Sequence, residues 1–549
     1  MANMPAFGFN LHKNSPLNMR LAIIGGGPAG YTAAEIAGRA GVSVTLFEQH
    51  ALGGVCLNEG CIPTKTLLQS AKTYDHAKEA RKYAVNVGGP ITPDLPRIVL
   101  RKQKVVRKLV LGIKAKLQAA GVTVVTGRAV IVDAHHVACA GTTYECDRLL
   151  LCTGSETFIP PIAGLDAVPY WTHREALDAK TLPDSLTIIG GGVIGMEFAS
   201  FFCSLGAKVT VIEMMPEILG GLDAEISALL RAEYAKRGVR FLTGTNATGV
   251  ALFPSAGEPD GEPATPHPAE TTRAGLAAAS AARHEGGSGA SGSGGPCAGE
   301  ANASEPCVSG PSAGKLGAVG PGIDKPCSGG TSSQRILVTY ADAAGHEGEV
   351  VADQLLVCVG RRPVLSGYGL ESLRLECDGR GRPVVDAQMR TSVPTVFACG
   401  DLTGRSMLAH TAVRQAEVAV HTLLGQADAM RYDAIPGVVY TSPEVASVGQ
   451  TEEQLQRAGT PYRAIRLPMT YSGRFVAENE GQTGLCKLLF APDTTLLGAH
   501  LLGNPASEII ALAGMAIDLR LTAAQWGRTI LPHPSVSEIF REALTQICH

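Results

Sequence analysis

The stretch that decides the fold is Leu21-Ala-Ile-Ile-Gly25-Gly-Gly27-Pro-Ala-Gly30. A helical pattern follows it, and then a strand-like run that ends in Glu48. Together, the apolar strand, the three spaced glycines, the helix and the distal acid form a complete dinucleotide-binding fingerprint. The glycines permit a tight turn close to a pyrophosphate, the helix N-terminus faces the phosphates, and the acid binds a ribose hydroxyl. The sequence therefore predicts a Rossmann-like domain with a dinucleotide site at Gly25, Gly27, Gly30 and Glu48.

A second copy of this pattern lies further along the chain. It reads Leu186-Thr-Ile-Ile-Gly190-Gly-Gly192-Val-Ile-Gly195, and the strand-like run that follows it ends in Glu213. A carboxylate at that point repels a ribose 2′-phosphate, so the pattern favours NAD over NADP. The internal repeat therefore predicts two similar dinucleotide-binding domains in series. The second domain has its expected NAD site at Gly190, Gly192, Gly195 and Glu213.

The composition indicates a soluble enzyme. The chain has 549 residues, a net charge of −3, and 45% hydrophobic and 18% charged residues. Such a length suits about three or four domains. The charge gives no indication of a nucleic-acid partner, and the apolar runs are shorter than the ~20 residues that span a bilayer. Residues 1–18 lack the apolar core of a secretory signal, so we expect a cytoplasmic protein with a short leader and no membrane insertion.

Two changes of composition mark further boundaries. Residues 254–333 are rich in Gly, Ser, Ala and Pro, which predicts a disordered insertion in a hairpin loop of the second domain. The cysteines in this segment fit no zinc-binding spacing, and we predict no metal site. From about residue 432, strand patterns combine with one apolar-periodic helix, which predicts an α+β domain.

The expected fold class is α/β, with two Rossmann-like domains and a C-terminal α+β domain for dimerisation. The expected boundaries are 1–18 for the leader, 19–163 and 365–431 for the two parts of the first dinucleotide domain, 164–364 for the second domain, and 432–549 for the C-terminal domain.

The sharpest local signal is the pair of cysteines in Gly53-Gly-Val-Cys56-Leu-Asn-Glu-Gly-Cys61-Ile-Pro-Thr-Lys65. In a regular helix, residues five apart have Cα atoms roughly 8–9 Å apart, whereas a disulfide needs less than about 7 Å. Cys56 and Cys61 can therefore join only if the backbone leaves the helix between them, and Asn58 and Gly60 permit such a break. Taken alone, the spacing also fits two ordinary buried thiols. Directly behind a dinucleotide fingerprint, it favours a redox pair.

The cysteine motif resembles the active-site signature of the class I pyridine nucleotide–disulfide oxidoreductases. The similarity extends from about Met19 to Cys548, interrupted only by the insertion. Further similar stretches are Thr153-Gly-Ser155, Gly360-Arg-Arg-Pro363, Ala398-Cys-Gly-Asp401 and Tyr440-Thr-Ser-Pro-Glu444. Because the first site binds FAD and the second binds the nicotinamide cofactor in this family, the resemblance implies an enzyme that uses FAD and NAD.

The resemblance also implies roles for individual residues. It implies an ion pair between Lys65 and Glu197 beside the flavin, although the sequence alone leaves Lys65 as a solvated helix charge. The remaining implied cofactor contacts are Thr153, Gly154, Asp401 and Ala409 for FAD, and Gly360 for NAD.

A histidine near the C-terminus is the candidate acid–base residue. It lies in Leu531-Pro-His533-Pro-Ser-Val-Ser-Glu538. A thiol must lose its proton before it attacks a disulfide, and histidine is the natural base near neutral pH. A carboxylate such as Glu538 could orient the ring. From the residues alone, His533 is equally well a surface histidine. The family resemblance implies that this pair completes the active site of a second subunit in an obligate homodimer.

Local features favour the dihydrolipoamide dehydrogenase branch of the family. Glu213 stands where NADPH-dependent members carry arginines, and the single Cys548 does not match the vicinal pair of mercuric reductases. The stretch Leu408-Ala-His410 is also similar to that branch. The resemblance then implies oxidation of dihydrolipoamide carried by the lipoyl domain of an acyltransferase subunit or by a glycine-cleavage carrier protein. A mercuric or other disulfide reductase and a non-catalytic flavoprotein scaffold remain the alternatives.

Overall fold

The structure, a computed structural model, describes residues 19–253 and 335–548. The predicted leader and the predicted insertion lie outside these residues. Secondary structure up to residue 163 consists of β1 (Arg20–Ile24), α1 (Pro28–Arg39), β2 (Ser43–Glu48), α2 (Gly54–Asn58), α3 (Cys61–Glu79), α4 (Leu95–Ala119), β3 (Thr123–Thr126), β4 (Val130–Asp133), β5 (His136–Cys139), β6 (Thr142–Glu145), β7 (Arg148–Leu151) and β8 (Ser155–Thr157).

The second repeat follows the same order of strand, helix and strand. Its elements are α5 (His173–Leu177), β9 (Ser185–Ile189), α6 (Val193–Leu205), β10 (Lys208–Glu213), α7 (Ala224–Lys236), β11 (Arg240–Thr243), β12 (Thr245–Phe253), β13 (Arg335–Asp342), β14 (Glu347–Ala352), β15 (Gln354–Val357) and β16 (Arg361–Pro363).

The C-terminal third begins with one short strand and a helix and then becomes largely antiparallel. Its elements are β17 (Val396–Ala398), α8 (Ala409–Leu423), β18 (Gly437–Val439), β19 (Val445–Gly449), α9 (Glu452–Ala458), β20 (Arg463–Pro468), α10 (Gly473–Glu478), β21 (Leu485–Phe490), β22 (Leu496–Leu502), α11 (Ala506–Asp518), α12 (Ala523–Trp526) and α13 (Glu538–Cys548).

The first dinucleotide fold is a parallel sheet in the order β17-β7-β1-β2-β3. Its central strand β1 is apolar on both faces because both are covered. Leu21 and Ile23 pack towards α1 and α8, and Ala22 and Ile24 pack towards the antiparallel sheet β4-β5-β6. A doubly covered parallel strand reads as a continuous apolar run, which explains the first four residues of the fingerprint. Strand β17 closes this sheet from far along the chain.

The second dinucleotide fold repeats this plan with the parallel sheet β11-β10-β9-β15. An antiparallel sheet β12-β13-β14 lies beside it. In this sheet Phe253, the last residue of β12, pairs with Arg335, the first residue of β13. Residues 254–334 therefore connect the two ends of an intact strand pair.

The C-terminal domain is built on the antiparallel sheet β18-β19-β22-β21-β20. Helices α11 and α13 pack against it, and their apolar residues share one core with the sheet. The predicted fold class, two Rossmann-like domains followed by an α+β domain, is confirmed. Within residues 19–253 and 335–548, no helix combines the length and hydrophobicity that crossing a membrane requires.

A buried ion cluster joins the C-terminal domain to the second dinucleotide fold. The side chain of Lys487 on β21 is 1% exposed and that of its partner Asp223 is fully buried. The Lys487 Nζ atom lies 2.8 Å from Asp223, 3.0 Å from Glu225 and 2.6 Å from Glu452. Burial opposes ionisation of Glu452, but hydrogen bonds from Lys487, Tyr462 and Arg466 lower its pKa to about 2.

We expect Lys487→Met to destabilise the protein by about 3 kcal/mol or more, because it leaves the fully buried Asp223 without its cation, whereas Glu225 and Glu452 keep their ion pairs with Arg466. The measurement is urea unfolding at neutral pH, followed by the intrinsic fluorescence of the protein. Lys487 contributes to the lowered pKa of Glu452, and this part of its stabilisation is lost as the pH falls from 4.5 towards 2, so the difference between the variant and the parent should shrink in acid. Arg474→Met, which breaks an exposed ion pair with Glu478, is the control and should cost far less stability. Equal losses for both variants would contradict the prediction.

Candidate active site

A cleft of about 1630 Å³ lies along the carboxyl ends of the two parallel sheets. Binding sites in parallel α/β sheets form at this edge. A pocket for one drug-sized molecule measures about 300–1,000 Å³, so the cleft is large enough for more than one such ligand. The predicted residues that line it are Gly25, Gly27, Glu48, Cys56, Cys61, Lys65, Thr153, Gly154, Asp401, Ala409, Gly190, Gly192, Glu197, Glu213 and Gly360.

The first and third glycines of both motifs are required by close backbone contacts. Gly25 has a φ of +104°, and a Cβ atom there would lie 2.2 Å from the Cys152 carbonyl oxygen. A Cβ atom on Gly30 would lie 1.8 Å from the carbonyl oxygen of Gly25, and one on Gly195 would lie 1.9 Å from that of Gly190. Gly30 and Gly195 therefore stand behind their turns rather than in the cleft. Each lets a helix N-terminus approach its strand, where the amide groups can receive phosphates.

The two acids at the strand ends, Glu48 and Glu213, are each held by two backbone amides. Glu48 accepts hydrogen bonds from the amides of Gly26, at 2.7 Å, and His50, at 2.7 Å. Glu213 accepts from the amides of Gly191, at 2.6 Å, and Met215, at 2.8 Å. Each carboxylate is thus oriented at the edge of its glycine turn and retains lone pairs for a ribose hydroxyl. The chemistry and placement of these residues fit FAD in the first turn and NAD in the second.

The cysteine pair lies where two helices meet at a break. Helix α2 ends at Asn58, the backbone of Gly60 is non-helical with φ −137° and ψ −106°, and Cys61 begins α3. The Asn58 amide donates to the carbonyl oxygens of Leu52 and Gly54, which holds α2 in place. This break brings the Cys56 and Cys61 sulfurs to 2.6 Å. The two thiols can therefore exchange electrons as a dithiol–disulfide couple.

The two thiols are not equivalent. A hydrogen bond from Cys56, assisted by the charge of Lys65, lowers the pKa of Cys61 against the cost of burial. The same hydrogen bond, together with burial, raises the pKa of Cys56. Cys61 is therefore the sulfur that carries the thiolate in the reduced pair. A sulfur of low pKa is also the better leaving group in thiol–disulfide exchange.

Lys65 on α3 pairs with Glu197 on α6. Its Nζ atom lies 2.9 and 2.8 Å from the two carboxylate oxygens. Glu197 is buried and also accepts a hydrogen bond from the Tyr440 amide at 3.0 Å. The pair fixes α3 against α6 at the point where the cleft passes from one glycine turn to the other.

Asp401 lies in a hydrogen-bonded group that the sequence did not reveal. It accepts a hydrogen bond from the Ser155 hydroxyl, which in turn receives one from Arg361 Nε at 2.8 Å. Burial raises the pKa of Asp401, and the Ser155 hydrogen bond and the charge of Arg361 oppose that rise. Arg361 lies in the stretch Gly360-Arg-Arg-Pro363 quoted above. Its contact with Ser155 could not be predicted, because the two residues are distant in sequence.

His533 and Glu538 lie together but apart from the cysteines of the same chain. The His533 Nδ1 atom is 2.9 Å from Glu538, and the histidine side chain is 82% exposed. Hydrogen bonds from the Ser535 amide and from His533 lower the pKa of Glu538, which keeps the acceptor ionised. Neither residue is among those that line the cleft. The structure thus pairs the two residues and presents them on the outside of the subunit.

Two glycine turns with a close cysteine pair between them define an oxidoreductase that exchanges dithiols and disulfides with the help of dinucleotides. The family model described as pyridine nucleotide-disulphide oxidoreductase matches residues 19–253 and 331–416, and its dimerisation domain matches residues 435–544. The chain belongs to the pyridine nucleotide-disulphide oxidoreductase family. FAD and NAD are the cofactors of this enzyme class, and the dimerisation domain supports a homodimer.

Similar proteins span nearly the whole chain. A dihydrolipoyl dehydrogenase of Thermus scotoductus is 33% identical over 526 residues, which cover 95% of this chain and 96% of the relative. One from Mycoplasma pneumoniae is 31% identical over 533 residues, which cover 96% and 98%. Among solved structures, LpdA from Mycobacterium tuberculosis matches with a TM-score of 0.75 and 25% identity over 96% of this chain and 99% of that one. The flavoprotein disulfide reductase RclA from Escherichia coli, at 24% identity, a TM-score of 0.73 and coverage of 96% and 100%, shows the fold alone.

Proposed function

We propose that this protein oxidises protein-bound dihydrolipoamide to lipoamide and reduces NAD⁺ to NADH. The observation that carries the proposal is the Cys56–Cys61 pair, 2.6 Å apart, in a cleft between an FAD-type and an NAD-type turn. Full-length similarity to dihydrolipoyl dehydrogenases supports this substrate over other dithiols. Glu213 in the second turn supports NAD as the electron acceptor.

The proposed reaction begins with proton removal by histidine. His533 of one subunit, oriented by Glu538, takes the proton of a substrate thiol at its free ring nitrogen. The resulting thiolate attacks Cys56 and forms a mixed disulfide, and Cys61 departs as the sulfur of lower pKa. The second substrate thiol then closes the lipoamide ring and releases Cys56, which takes up the proton of that thiol, while His533 holds the first proton. The substrate loses two electrons, which the Cys56–Cys61 pair gains.

Other residues of the cleft prepare the later electron transfer. FAD, when bound, supplies the hydride chemistry that links the dithiol to NAD. Lys65 places a positive charge beside the Cys61 thiolate and, through Glu197, holds the two dinucleotide folds in register. Ser155 and Arg361 keep Asp401 directed at the first cofactor site.

The carrier of the dithiol and the compartment belong to the same proposal. We infer that the substrate arrives on the lipoyl domain of an acyltransferase subunit or on a glycine-cleavage carrier protein, in the cytoplasm. The domain division at residues 163, 364 and 431 is likewise our proposal, supported by the separate sheets that these segments form.

The test is NADH formation from dihydrolipoamide with NAD⁺ by the purified yellow holoenzyme, with NADP⁺ as the comparison. Rapid oxidation of dihydrolipoamide is expected with NAD⁺ but not with NADP⁺. If NADH reduces a bound flavin but dihydrolipoamide is not turned over, the family assignment stands and the proposed substrate is wrong. In that case mercuric ion and other disulfides are the next substrates to assay. Absence of bound flavin in protein that is otherwise folded would favour a non-catalytic scaffold.

We expect Glu213→Gln to lower kcat/KM for NAD⁺ about tenfold, because one charge-assisted acceptor at the second turn is lost. The loss for NADP⁺ should be smaller, since the repulsion of a 2′-phosphate is also removed. Initial rates with both nucleotides give the ratio of kcat/KM for NAD⁺ to kcat/KM for NADP⁺. Glu233→Gln, which alters a helix carboxylate paired with Arg237, is the control and should leave the ratio unchanged. An unchanged ratio in Glu213→Gln would show that this residue does not determine the preference for NAD⁺ over NADP⁺.

A further inference from the structure

Glu59 occupies the break between the two redox cysteines. It follows the last residue of α2, and Gly60 separates it from Cys61. Its carboxylate accepts a hydrogen bond from Arg174 Nε and lies 3.6 Å from His173 Nε2. These two neighbours lower the pKa of Glu59 to about 2, despite its partial burial, so the carboxylate stays ionised. The non-helical segment between the two cysteines is thus held by an ion pair with Arg174, which lies far away in the sequence.

The holding residues belong to a hydrogen-bonded part of the second dinucleotide fold. His173 and Arg174 begin α5, which is closed at its N-terminus by a capping box between Thr172 and Glu175. The preceding residue, Trp171, exchanges backbone hydrogen bonds of 2.8 Å with Leu355 and Val357 on β15. The contact of Glu59 therefore joins the redox segment to the sheet that carries the NAD-type turn.

His173 is a buried group that no predicted role uses. It is 5% exposed and its Nδ1 atom lies 3.3 Å from the Thr157 hydroxyl. Among residues 19–253 and 335–548, its Nε2 atom has no hydrogen-bond partner. That free nitrogen faces Glu59 within the cleft lining. Glu175 and Arg361 are the other charged residues of this neighbourhood, through their interactions with His173 and with the Glu59–Arg174 pair.

We propose that Glu59, held by Arg174 and His173, is a positioning residue that keeps Cys56 and Cys61 within bonding reach and thereby sets their dithiol–disulfide equilibrium. Residues five apart meet only if the segment between them is fixed in a non-helical conformation. Fixing it raises the effective concentration of one thiol at the other, which favours the disulfide. The inference rests on the redox role of the pair in the proposed function, but it does not depend on which dithiol is the substrate.

The experiment is a redox titration of the holoenzyme in mixtures of reduced and oxidised dithiothreitol. Reduced dithiothreitol closes to its cyclic disulfide and passes two electrons and two protons to the protein disulfide, which opens to two thiols. After acid quenching and alkylation, mass spectrometry of the peptide that contains both cysteines gives the reduced fraction. Neither dihydrolipoamide nor NAD⁺ is present, so failure of the proposed substrate would not alter this result.

Two substitutions separate positioning from simple charge. Glu59→Gln removes a negative charge near the thiolate, and Arg174→Gln removes a positive one, yet both release the segment. We expect both to shift the equilibrium towards the dithiol by about fivefold, the scale of one half-buried ion pair. At about 30 mV per tenfold change for a two-electron couple, this is a rise of about 20 mV in midpoint potential. His173→Gln should shift it in the same direction by less.

Opposite shifts for Glu59→Gln and Arg174→Gln would overturn the proposal, because charge alone predicts them. No shift in either variant would also overturn it. Glu145→Gln, which breaks the exposed ion pair with Arg20, is the control and should match the parent. Flavin content and the thermal midpoint of each variant establish that the holoenzyme is folded. If Glu59→Gln fails to fold, Glu59→Asp, which keeps the charge and shortens its reach, should give the same direction of shift.

Discussion

Replacing Cys56 by serine is expected to abolish dithiol oxidation and to leave bound flavin in place. Serine has nearly the same volume as cysteine, so the junction of α2 and α3 should persist. Its oxygen, however, cannot form a disulfide with Cys61 or with the substrate. We expect kcat/KM for dihydrolipoamide to fall by roughly 10³-fold or more, the scale of losing a covalent nucleophile that acts with a partner group. Cys61→Ser should be as severe, because the two sulfurs act as one couple.

Steady-state NADH formation measures this loss, and the visible spectrum measures flavin content. Reduction of an artificial dye by NADH should survive in Cys56→Ser, because that route needs the dinucleotide sites and not the disulfide. Cys377→Ser alters an exposed cysteine outside the cleft and is the matched control, with unchanged rates expected. If Cys56→Ser kept a tenth of the parent's activity towards dihydrolipoamide, the disulfide would not be on the reaction path.

Replacing His533 by glutamine is expected to lower kcat for dihydrolipoamide oxidation by about 10²–10⁴-fold, the usual contribution of a general base. The Nδ1 atom faces Glu538 at 2.9 Å, so the other ring nitrogen is free for the substrate proton. Because the side chain is 82% exposed and lies outside the cleft of its own chain, we expect it to act on the cysteines of a second subunit.

Mixed dimers test this arrangement directly. Subunits with Cys56→Ser and subunits with His533→Gln are each inactive in their own dimers, but a mixed dimer has one site with an intact cysteine pair and an intact histidine. Random assembly of equal amounts should restore about a quarter of the parental activity, since about half of the dimers are mixed and each has one of two sites. If mixing restored nothing although tagged mixed dimers were isolated, the base would act within its own chain.

The parts that sequence could predict are those whose requirements are local. Gly25 and Gly190 must accept positive φ angles beside a neighbouring strand, and no distant contact changes that need. Glu48 and Glu213 end their strands at a constant spacing from the turns, so their place follows from the repeat alone. Similarly, the short distance between Cys56 and Cys61 demanded a break, and the break lies at the predicted residues.

The parts that sequence could not predict depend on pairs brought together only by the fold. No pattern near Glu59 indicates that Arg174 will bind it, and none near Lys487 indicates that Asp223 will. A basic residue in a strand or at a helix start is ordinarily a solvated charge. His533 and Glu538 are local to each other, and their contact was foreseen, but their target needs a second chain and stays a prediction.

The paired ends of β12 and β13 have a consequence for how this protein varies between lineages. Because Phe253 and Arg335 already face each other across a completed ladder, the sheet sets no required length for the chain that joins them. The entropy of closing such a connection grows only with the logarithm of its length, so each doubling costs about 0.6 kcal/mol. Insertions and deletions can therefore accumulate at this position during evolution with little penalty to the catalytic scaffold.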